Sequence, residues 1–232
     1  MSILRSQYPQ FYRYYGRKIS KKLSTDNLTL LNKYYNEYSL DEEIIKNYLT
    51  DRSLKLKKDR FKKINIELGF GNGEFLIKNA LSKPKELFIG CEVYVNGVAK
   101  VLKQILLLKI DNIKLCNLNC IYFLNILSPS SVDKIFIINP DPWIKKRHHK
   151  RRIISLKNIK LFNKIVKKTK STYVTTDSQS YVRDVEDLFR NHASELGDLE
   201  LSILSNKDKL YGISRYQKKA IEKGDQIYLL TL

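Results

Sequence analysis

From residue 64 onward, short apolar runs alternate with stretches of helical periodicity, and this alternation constrains the fold more than any other feature of the sequence. The predicted strands are residues 64–68, 87–91, 113–116, 135–138 and 172–176. Strands that are separated by helices pair in parallel, because each crossover helix returns the chain to the same end of the sheet. The sequence therefore predicts an α/β fold with a doubly wound, mostly parallel sheet.

The two ends of the chain differ from this pattern. Residues 199–204 and 226–231 are predicted as late strands with no helix between them, forming an antiparallel hairpin on one edge of a seven-stranded sheet. Residues 1–63 are basic and rich in tyrosine, with helix candidates at 28–38 and 42–49. We therefore divide the chain into an N-terminal extension, residues 1–63, and an α/β domain, residues 64–232.

Two prolines enclose a carboxylate directly after the fourth predicted strand, in the sequence Asn139-Pro-Asp-Pro-Trp143. Proline cannot continue the ladder of a central strand, and its ring fixes the backbone locally. Asp141 is therefore expected at the carboxyl edge of the sheet, where open α/β folds bind their ligands. The alternative is a helix cap followed by a solvated basic helix, which explains neither the paired prolines nor the dense positive charge.

A basic run, residues 145–152, follows at once. The whole chain has 43 Lys and Arg against 24 Asp and Glu, a formal net charge of +19. Such an excess favours a polyanion partner, either nucleic acid or an anionic membrane face. A membrane role is disfavoured because the run is not paired with an exposed apolar helix face. In the N-terminal extension, tyrosines interleave with cations, which suits RNA, although an arm made basic by composition alone fits equally well.

Several classes of protein are disfavoured by composition. No apolar run reaches the roughly 18 residues of a membrane-spanning helix, and the N-terminus lacks the apolar block of a signal peptide. The odd number of cysteines (Cys91, Cys116 and Cys120) and their place in or beside predicted strands indicate buried, reduced thiols, as expected in the cytoplasm. The three histidines show no metal-ligand spacing, so no metal site is expected.

A glycine-rich loop separates the first predicted strand from the first helix of the α/β domain. Its glycines are Gly69, Gly71 and Gly73. This spacing allows a tight turn and close approach of a ligand, and it occurs in both dinucleotide and S-adenosylmethionine sites. Glu67 and Glu74 flank the loop, and carboxylates suit a sulfonium and an α-ammonium better than a pyrophosphate. Glu92, at the end of the second strand, is expected to accept hydrogen bonds from ribose hydroxyls.

Five segments resemble the bacterial tRNA (guanine-N7-)-methyltransferase family. They are Glu67-Leu-Gly-Phe-Gly-Asn-Gly-Glu-Phe75, Phe88-Ile-Gly-Cys-Glu-Val93, Pro140-Asp-Pro-Trp-Ile-Lys-Lys-Arg-His-His-Lys-Arg-Arg-Ile153, Thr176-Asp177 and, in the N-terminal arm, Tyr15-Gly-Arg-Lys-Ile-Ser-Lys-Lys22. The likeness covers residues 64–232 and that arm. It implies a Rossmann-like class I methyltransferase fold and a cytoplasmic enzyme that uses S-adenosyl-L-methionine to methylate a guanosine at position 46, in the variable loop of tRNA.

The resemblance also implies a role for particular residues. Cofactor contacts fall on the three glycines and on Glu67, Glu92, Asn119 and Asp141, and Asp141 is also the active-site residue. Contacts with tRNA fall on Lys145, Asp177, Ser214, Arg215, Tyr216 and Gln217. The remaining cations of the basic run would bind phosphates: Lys146, Arg147, Lys150, Arg151 and Arg152. The sequence departs from the family at Asn119 and Gln217, where acids are usual, and at Asn139 and Ser178, where aromatic residues are found.

Guanine N7 has a free lone pair, so its methylation needs no base, and the work of the site is positioning. Asp141 or Asp177 would accept the adjacent N1–H and N2–H donors of guanine and stabilise the charge that develops on the ring. Trp143 either stacks on the base or simply packs. Two alternatives stay open: a methyltransferase for an exocyclic amine, and a non-catalytic RNA-binding protein with a degenerate methyltransferase fold. The sequence does not decide between monomer and homodimer.

Overall fold

The computed structural model describes residues 22–40, 60–168, 171–204 and 214–232. Two predictions therefore lie outside the described residues: the helix at residues 42–49 and nearly all of the basic arm at residues 15–22. The predicted helix at residues 28–38 is confirmed and begins slightly earlier, because Ser24 caps it by accepting a hydrogen bond from Asn27 N. No helix in the described part of the chain is long and apolar enough to cross a membrane.

Helices and strands alternate along most of the described chain. In order they are α1 (Thr25–Tyr38), β1 (Lys63–Leu68), α2 (Glu74–Ser82), β2 (Glu86–Cys91), α3 (Val95–Leu108), β3 (Ile113–Cys116), α4 (Cys120–Asn125), β4 (Lys134–Ile138), a 3-10 helix (Lys146–Arg151), α5 (Leu156–Ile165), β5 (Thr172–Thr176), α6 (Gln179–Asn191), α7 (Ala193–Leu196), β6 (Glu200–Ile203), α8 (Arg215–Glu222) and β7 (Tyr228–Thr231).

The strands form one seven-stranded sheet in the order β3-β2-β1-β4-β5-β7-β6. All neighbours from β3 to β5 are parallel, whereas β7 runs antiparallel to both β5 and β6. The strand order reverses beside β1, so that β1 and β4 carry the point at which doubly wound sheets bind ligands. The predicted α/β fold with a mostly parallel sheet is confirmed.

The two late strands are partly as predicted. They pair with each other in an antiparallel manner at one edge of the sheet, but the prediction that no helix separates them is wrong, because α8 lies between them. Among the described side chains of α8, Gln217 and Ala220 are buried, whereas Lys218, Lys219, Ile221 and Glu222 are exposed. One amide and one alanine are a weak apolar pattern, so periodicity does not identify this helix.

Apolar side chains cover both faces of the sheet, because successive residues of a strand point to opposite sides. Leu87 and Ile89 of β2 belong to the larger apolar cluster, against α4, α5 and α6. Phe88, between them, belongs to a second cluster with α2 and α3. Burial on both faces explains why these strands read as continuous apolar runs in the sequence.

The N-terminal helix α1 is part of this second layer. Leu31 is only 4% exposed and lies in the cluster formed by α2 and α3. Just after the helix, Leu40 N donates a hydrogen bond to Leu115 O, so the chain also touches the free edge of β3. The predicted domain boundary after residue 63 is not tested by these contacts, but residues 22–40 pack on the α/β domain.

The sequence predicted three buried cysteines; Cys91 and Cys116 are buried, whereas Cys120, at the first position of α4, is only partly buried. Cys91 and Cys116 lie side by side on β2 and β3, with their sulfur atoms 3.7 Å apart. All three cysteines are free thiols, and burial raises the pKa of Cys91 well above its ordinary value. These are structural side chains of the core, since a nucleophilic cysteine needs an exposed thiolate.

Candidate active site

Five parallel strands end at one edge of the sheet, and the predicted site residues follow those ends. Glu67 lies in β1, Glu92 follows β2, Asn119 follows β3, Asp141 follows β4 and Asp177 follows β5. Parallel strands bring their carboxyl ends together, so residues scattered over 111 positions lie at the same edge of the sheet. The fold thus groups these five side chains at one edge.

The glycine loop lies at this edge, between β1 and α2. Gly69, Gly71 and Gly73 have φ of 74°, 56° and 81°, a left-handed conformation that other residues adopt at a cost. A Cβ atom added at Gly69 or Gly71 would meet nothing within 4 Å, so the loop borders open space. At Gly73, the added atom would lie 2.2 Å from Val101 Cγ2, because α2 begins there in close contact with α3.

Glu67 is a buried carboxylate beneath the loop, with 2% of its surface exposed. Its Oε2 atom has no hydrogen-bond partner among the described residues. Burial raises its pKa well above the usual range, and the neighbouring Glu92 and Glu74 raise it further. A buried acid without a partner is stabilised by a cation, and the cationic sulfonium and ammonium of S-adenosylmethionine fit this requirement.

Glu92 ties the glycine loop to the second strand. One of its carboxylate oxygens accepts a hydrogen bond from Gly71 N at 2.9 Å, and the other accepts one from Tyr94 N at 2.9 Å. Each oxygen keeps a second lone pair, so the predicted contact with ribose hydroxyls stays a prediction. The sequence did not reveal that this acid also holds the loop in place.

Asn119 begins the helix after the third strand. Its Oδ1 atom accepts hydrogen bonds from Ile121 N at 3.0 Å and from Tyr122 N at 3.1 Å, which makes it the N-cap of α4. The cap uses the amide oxygen and neither N–H of the side chain. Asn119 can therefore cap the helix and still offer donors to an adenine edge, a contact that stays a prediction.

Gly97 is a residue of the site that sequence reasoning missed. A Cβ atom at this position would lie 2.0 Å from Gly71 O, which means that α3 approaches the backbone of the glycine loop directly. Any side chain at position 97 would push the loop or the helix aside. A glycine in the first turn of a predicted helix, where it lowers helix stability, was the available signal.

We call residues 139–143 the Asp141 loop. Both of its end residues are left-handed: Asn139 has φ 48° and Trp143 has φ 45°. This conformation is uncommon for residues other than glycine. It concentrates at functional sites, where the surrounding structure maintains it. Asp141 lies between them, exposed at the carboxyl end of β4 as predicted.

The basic run forms the 3-10 helix and its flanks. The side chains of Lys145, Lys146, Arg147 and Lys150 are exposed. Arg151 stacks on the Trp143 ring, with its guanidinium carbon 5.0 Å from the ring centroid, and His148 meets the same ring edge-on at 5.8 Å. Trp143 thus packs against the basic run, and its stacking on a base stays a prediction.

Comparison with known proteins identifies the family to which this chain belongs. A family model described as "Putative methyltransferase" matches residues 62–230. A tRNA (guanine-N(7)-)-methyltransferase of Neorickettsia sennetsu is 32% identical over 182 residues, covering 78% of this chain and 76% of the relative. Another, of Bartonella henselae, is 31% identical and covers 94% of each chain. The chain belongs to the bacterial tRNA (guanine-N7-)-methyltransferase family.

Membership of the tRNA (guanine-N7-)-methyltransferase family confirms the resemblance found in the sequence. A "Bifunctional methyltransferase" of Rickettsia prowazekii is also similar, 36% identical over 214 residues, and the chain spans 38% of that relative's length. Among solved structures, the 16S rRNA methyltransferase KamB aligns with a TM-score of 0.54 at 12% identity, over 78% of this chain and 97% of that chain. An antibiotic-related methyltransferase gives a TM-score of 0.51 at 16% identity, over 78% and 95%. These two likenesses concern the fold alone.

Three residues that were predicted to contact tRNA have internal partners in the structure. The side chain of Arg152 is 4% exposed and forms an ion pair with Asp184 at 2.6 Å. Ser214 and Gln217 are buried and cap α8, each accepting a hydrogen bond from the other's backbone N–H. Burial removes these side chains from the surface that an RNA can touch, so we do not count them among the RNA contacts.

The remaining predicted tRNA contacts are consistent with their positions but stay predictions. Asp177 is exposed at the end of β5, and Lys145 is exposed beside the Asp141 loop. Arg215 and Tyr216 lie in the first turn of α8. Ser178, at a position where the family has tryptophan, accepts a hydrogen bond from Tyr181 N and caps α6. No cluster of His, Cys, Asp and Glu in the described ranges has the arrangement of a metal site.

Proposed function

We propose that this chain transfers a methyl group from S-adenosyl-L-methionine to N7 of a guanosine in tRNA, at position 46 of the variable loop. The observation that carries the proposal is the buried carboxylate of Glu67, with no partner for Oε2 among the described residues, at the sheet edge that also holds the exposed Asp141. Family membership supports the same reaction.

The cofactor would be held by residues of β1, β2 and β3. Glu67 supplies negative charge for its cationic end, the glycine loop borders the space it enters, and Glu92 and Asn119 offer polar groups toward ribose and adenine. When bound, S-adenosylmethionine supplies an electrophilic methyl group on its sulfonium. A neutral or anionic ligand would gain less from Glu67, since a carboxylate favours a cation in a buried site.

The protein's part in the reaction is to orient the base. N7 attacks with a lone pair that carries no proton, so the site needs no general base. A carboxylate accepts the adjacent N1–H and N2–H of guanine, a pair of donors that adenine lacks, and it stabilises the positive charge that forms on the ring. Asp141 supplies this carboxylate, with Asp177 at the neighbouring strand end as the second candidate.

The exposed cations beside the Asp141 loop would bind the phosphates of the tRNA. These are Lys145, Lys146, Arg147 and Lys150. Contacts with phosphate position an RNA and make its binding sensitive to salt, but they do not select a base. The division of labour would therefore place affinity on the basic run and base choice on Asp141.

The direct test is incubation of the purified protein with labelled S-adenosylmethionine and unmodified tRNA, followed by digestion and mass spectrometry of the nucleosides. We expect N7-methylguanosine from position 46. Methylation of an exocyclic amine would replace the proposal by the first alternative. Absence of both methylation and cofactor binding in calorimetry would leave only a degenerate, RNA-binding fold.

The role of Asp141 is tested by Asp141→Asn, which keeps the shape and removes the charge. We expect turnover to fall by at least about a hundredfold, as for the loss of one charge-stabilising group, while binding of tRNA persists. Asp111→Asn is the matched control, because Asp111 is exposed before β3, at the opposite edge of the sheet. Unchanged turnover of Asp141→Asn would contradict the assignment.

A further inference from the structure

The N-terminal end of the Asp141 loop is held by a chain of hydrogen bonds from α8. Asn139 N donates to Thr175 O at 3.0 Å, and Thr175 Oγ1 donates to Asn139 Oδ1 at 3.0 Å. Gln217 Nε2 in turn donates to Thr175 Oγ1 at 3.2 Å. Thr175 and Gln217 are 0% and 3% exposed, so water does not compete for these bonds.

The direction of this chain is fixed by its chemistry. Ser214 N–H can only donate, so it takes the amide oxygen of Gln217, at 2.8 Å, and the amide NH₂ must point to Thr175. The single hydroxyl proton of Thr175 is then available for Asn139. A glutamate at position 217 would still accept from Ser214 N–H, but it could not donate to Thr175 when ionised.

The C-terminal end of the loop is held by the buried Arg152. Its Nε atom donates to Pro142 O at 2.8 Å, and its Nη1 atom pairs with Asp184 at 2.6 Å. The guanidinium also lies over the ring of Tyr181, 4.8 Å from the centroid. A planar guanidinium with several fixed donors can hold a carbonyl and a carboxylate at once, which a lysine cannot do with the same geometry.

The backbone on both sides of Asp141 is left-handed, at Asn139 and at Trp143. Asparagine adopts this conformation more readily than other non-glycine residues, whereas a tryptophan keeps it only where its surroundings enforce it. The first attachment acts at Asn139 itself, and the second acts at Pro142, directly before Trp143.

We propose that Gln217 and Arg152 are positioning residues that hold the Asp141 loop in its strained, reactive conformation from its two ends. The expected effect of these two residues on catalysis rests on the proposed function, whereas their effect on the conformation of the loop does not. This role connects two departures from the family. Gln217 stands where the family has glutamate, and Asn139 stands where it has an aromatic residue. The amide of Gln217 orients Asn139 through the hydroxyl of Thr175.

The loop can be observed directly because Trp143 is the only tryptophan of the chain. We would measure the emission maximum and acrylamide quenching of Trp143 in Gln217→Glu, Thr175→Val and Arg152→Lys. Gln217→Glu retains the capping of α8, and Thr175→Val retains shape, so folding is preserved and checked by circular dichroism. We expect red-shifted emission and stronger quenching in all three, and wild-type values in Thr175→Ser and Asp111→Asn.

The kinetic test separates positioning from RNA contact. We expect the three variants to lose about ten- to a hundredfold in kcat at saturating tRNA and cofactor, because small misplacement of a catalytic group is costly. Their KM for tRNA and the salt dependence of tRNA binding should stay at wild-type values. Combining Gln217→Glu with Thr175→Val should cost no more than Thr175→Val alone, since both break one chain of bonds.

The outcomes are distinguishable. Unchanged Trp143 fluorescence in all three variants would overturn the proposal, as would a raised KM and a flattened salt dependence with kcat intact, which describe an RNA contact. A wild-type protein that methylates no tRNA would refute the proposed function, and the fluorescence comparison would still decide whether Gln217 and Arg152 hold the loop.

Discussion

The carboxyl group of Glu67 is placed where its charge is costly until a cation arrives. Burial, Glu92 and Glu74 raise its pKa well above the usual value, so the folded protein retains the proton to a higher pH than the unfolded chain does. The contribution of Glu67 to the free energy of unfolding is therefore fully present below the ordinary pKa of glutamate, about 4.3. This contribution is lost as pH rises through the raised pKa of the folded state. In the proposed function, this lower stability accompanies affinity for the cationic end of the cofactor, a trade-off that is common at functional sites.

Replacing Glu67 by Gln should separate these two effects. In urea unfolding at a series of pH values, we expect Glu67→Gln to match the wild type near pH 4 and to exceed it progressively as pH rises, because the variant has no carboxyl to ionise. In calorimetry, its affinity for S-adenosylmethionine should fall by at least about thirtyfold, or about 2 kcal/mol.

Glu222→Gln is the matched control, since Glu222 is exposed at the end of α8 and its replacement should change stability by less than about 0.5 kcal/mol. A wild-type pH profile for Glu67→Gln would show that folding does not raise the pKa of Glu67. Unchanged cofactor affinity would show that it does not meet the cationic end.

At the scale of elements, the basic run has two parts, one exposed to solvent and one buried in the protein. Its exposed cations surround the 3-10 helix, whereas Arg152 is turned inward to Asp184 and Pro142. Sequence alone shows eight neighbouring polar residues and their charge, but it cannot show that one of them meets a partner 32 residues further on. The same holds for Gln217, whose partner Thr175 lies 42 positions earlier.

Neutralising Lys146, Arg147 and Lys150 together to glutamine should lower the slope of log K against log salt for tRNA by about 2 to 3, since each lost phosphate contact releases fewer counterions. Binding titrations at several salt concentrations measure this slope. We expect the same net charge change in Lys85, Lys109 and Lys164, which are exposed near the amino ends of the strands, to leave the slope nearly unchanged. Equal slopes for both triple variants would mean that total charge, rather than this surface, binds the RNA.

At the scale of the whole molecule, α1 belongs to the packed structure although the sequence divided the chain after residue 63. Leu31 is buried in the cluster that also contains Phe88 and Leu102. The division followed from a change in composition, and composition does not reveal an apolar contact between a tyrosine-rich helix and a distant layer. If α1 unfolds together with the sheet, a substitution in it must lower the stability of the entire domain.

Leu31→Ala should therefore destabilise the protein by about 2–5 kcal/mol, as expected for a buried leucine. Denaturant unfolding followed both by Trp143 fluorescence and by circular dichroism should show one coincident, shifted transition. Leu107→Ala is the same substitution at a side chain that is 69% exposed, and it should change stability by less than about 0.5 kcal/mol. A Trp143 transition unchanged by Leu31→Ala would show that α1 unfolds separately.

The parts of the structure that could be predicted share one property: residues close together in the sequence determine their conformation. Strands β1 to β5 are short segments of apolar or β-branched residues bounded by turn residues, and the predicted site residues lie at or just after their ends. The glycine loop and the Pro-Asp-Pro segment are defined by backbone chemistry. What could not be predicted depends on distant partners: α8, whose Gln217 bonds to Thr175, and the hydrogen bonds that link Asn139 to Gln217.

The place of β7 between β5 and β6 has a consequence for synthesis on the ribosome. Residues 228–231 fill a gap in a sheet whose other strands have already emerged, and they pair with β5 on one side and β6 on the other. A nascent chain that stalls before them carries two unpaired strand edges, which invite association with other chains. Rapid pairing of β7 with both neighbours, or a chaperone that shields the growing chain, would protect the protein from aggregation at this step.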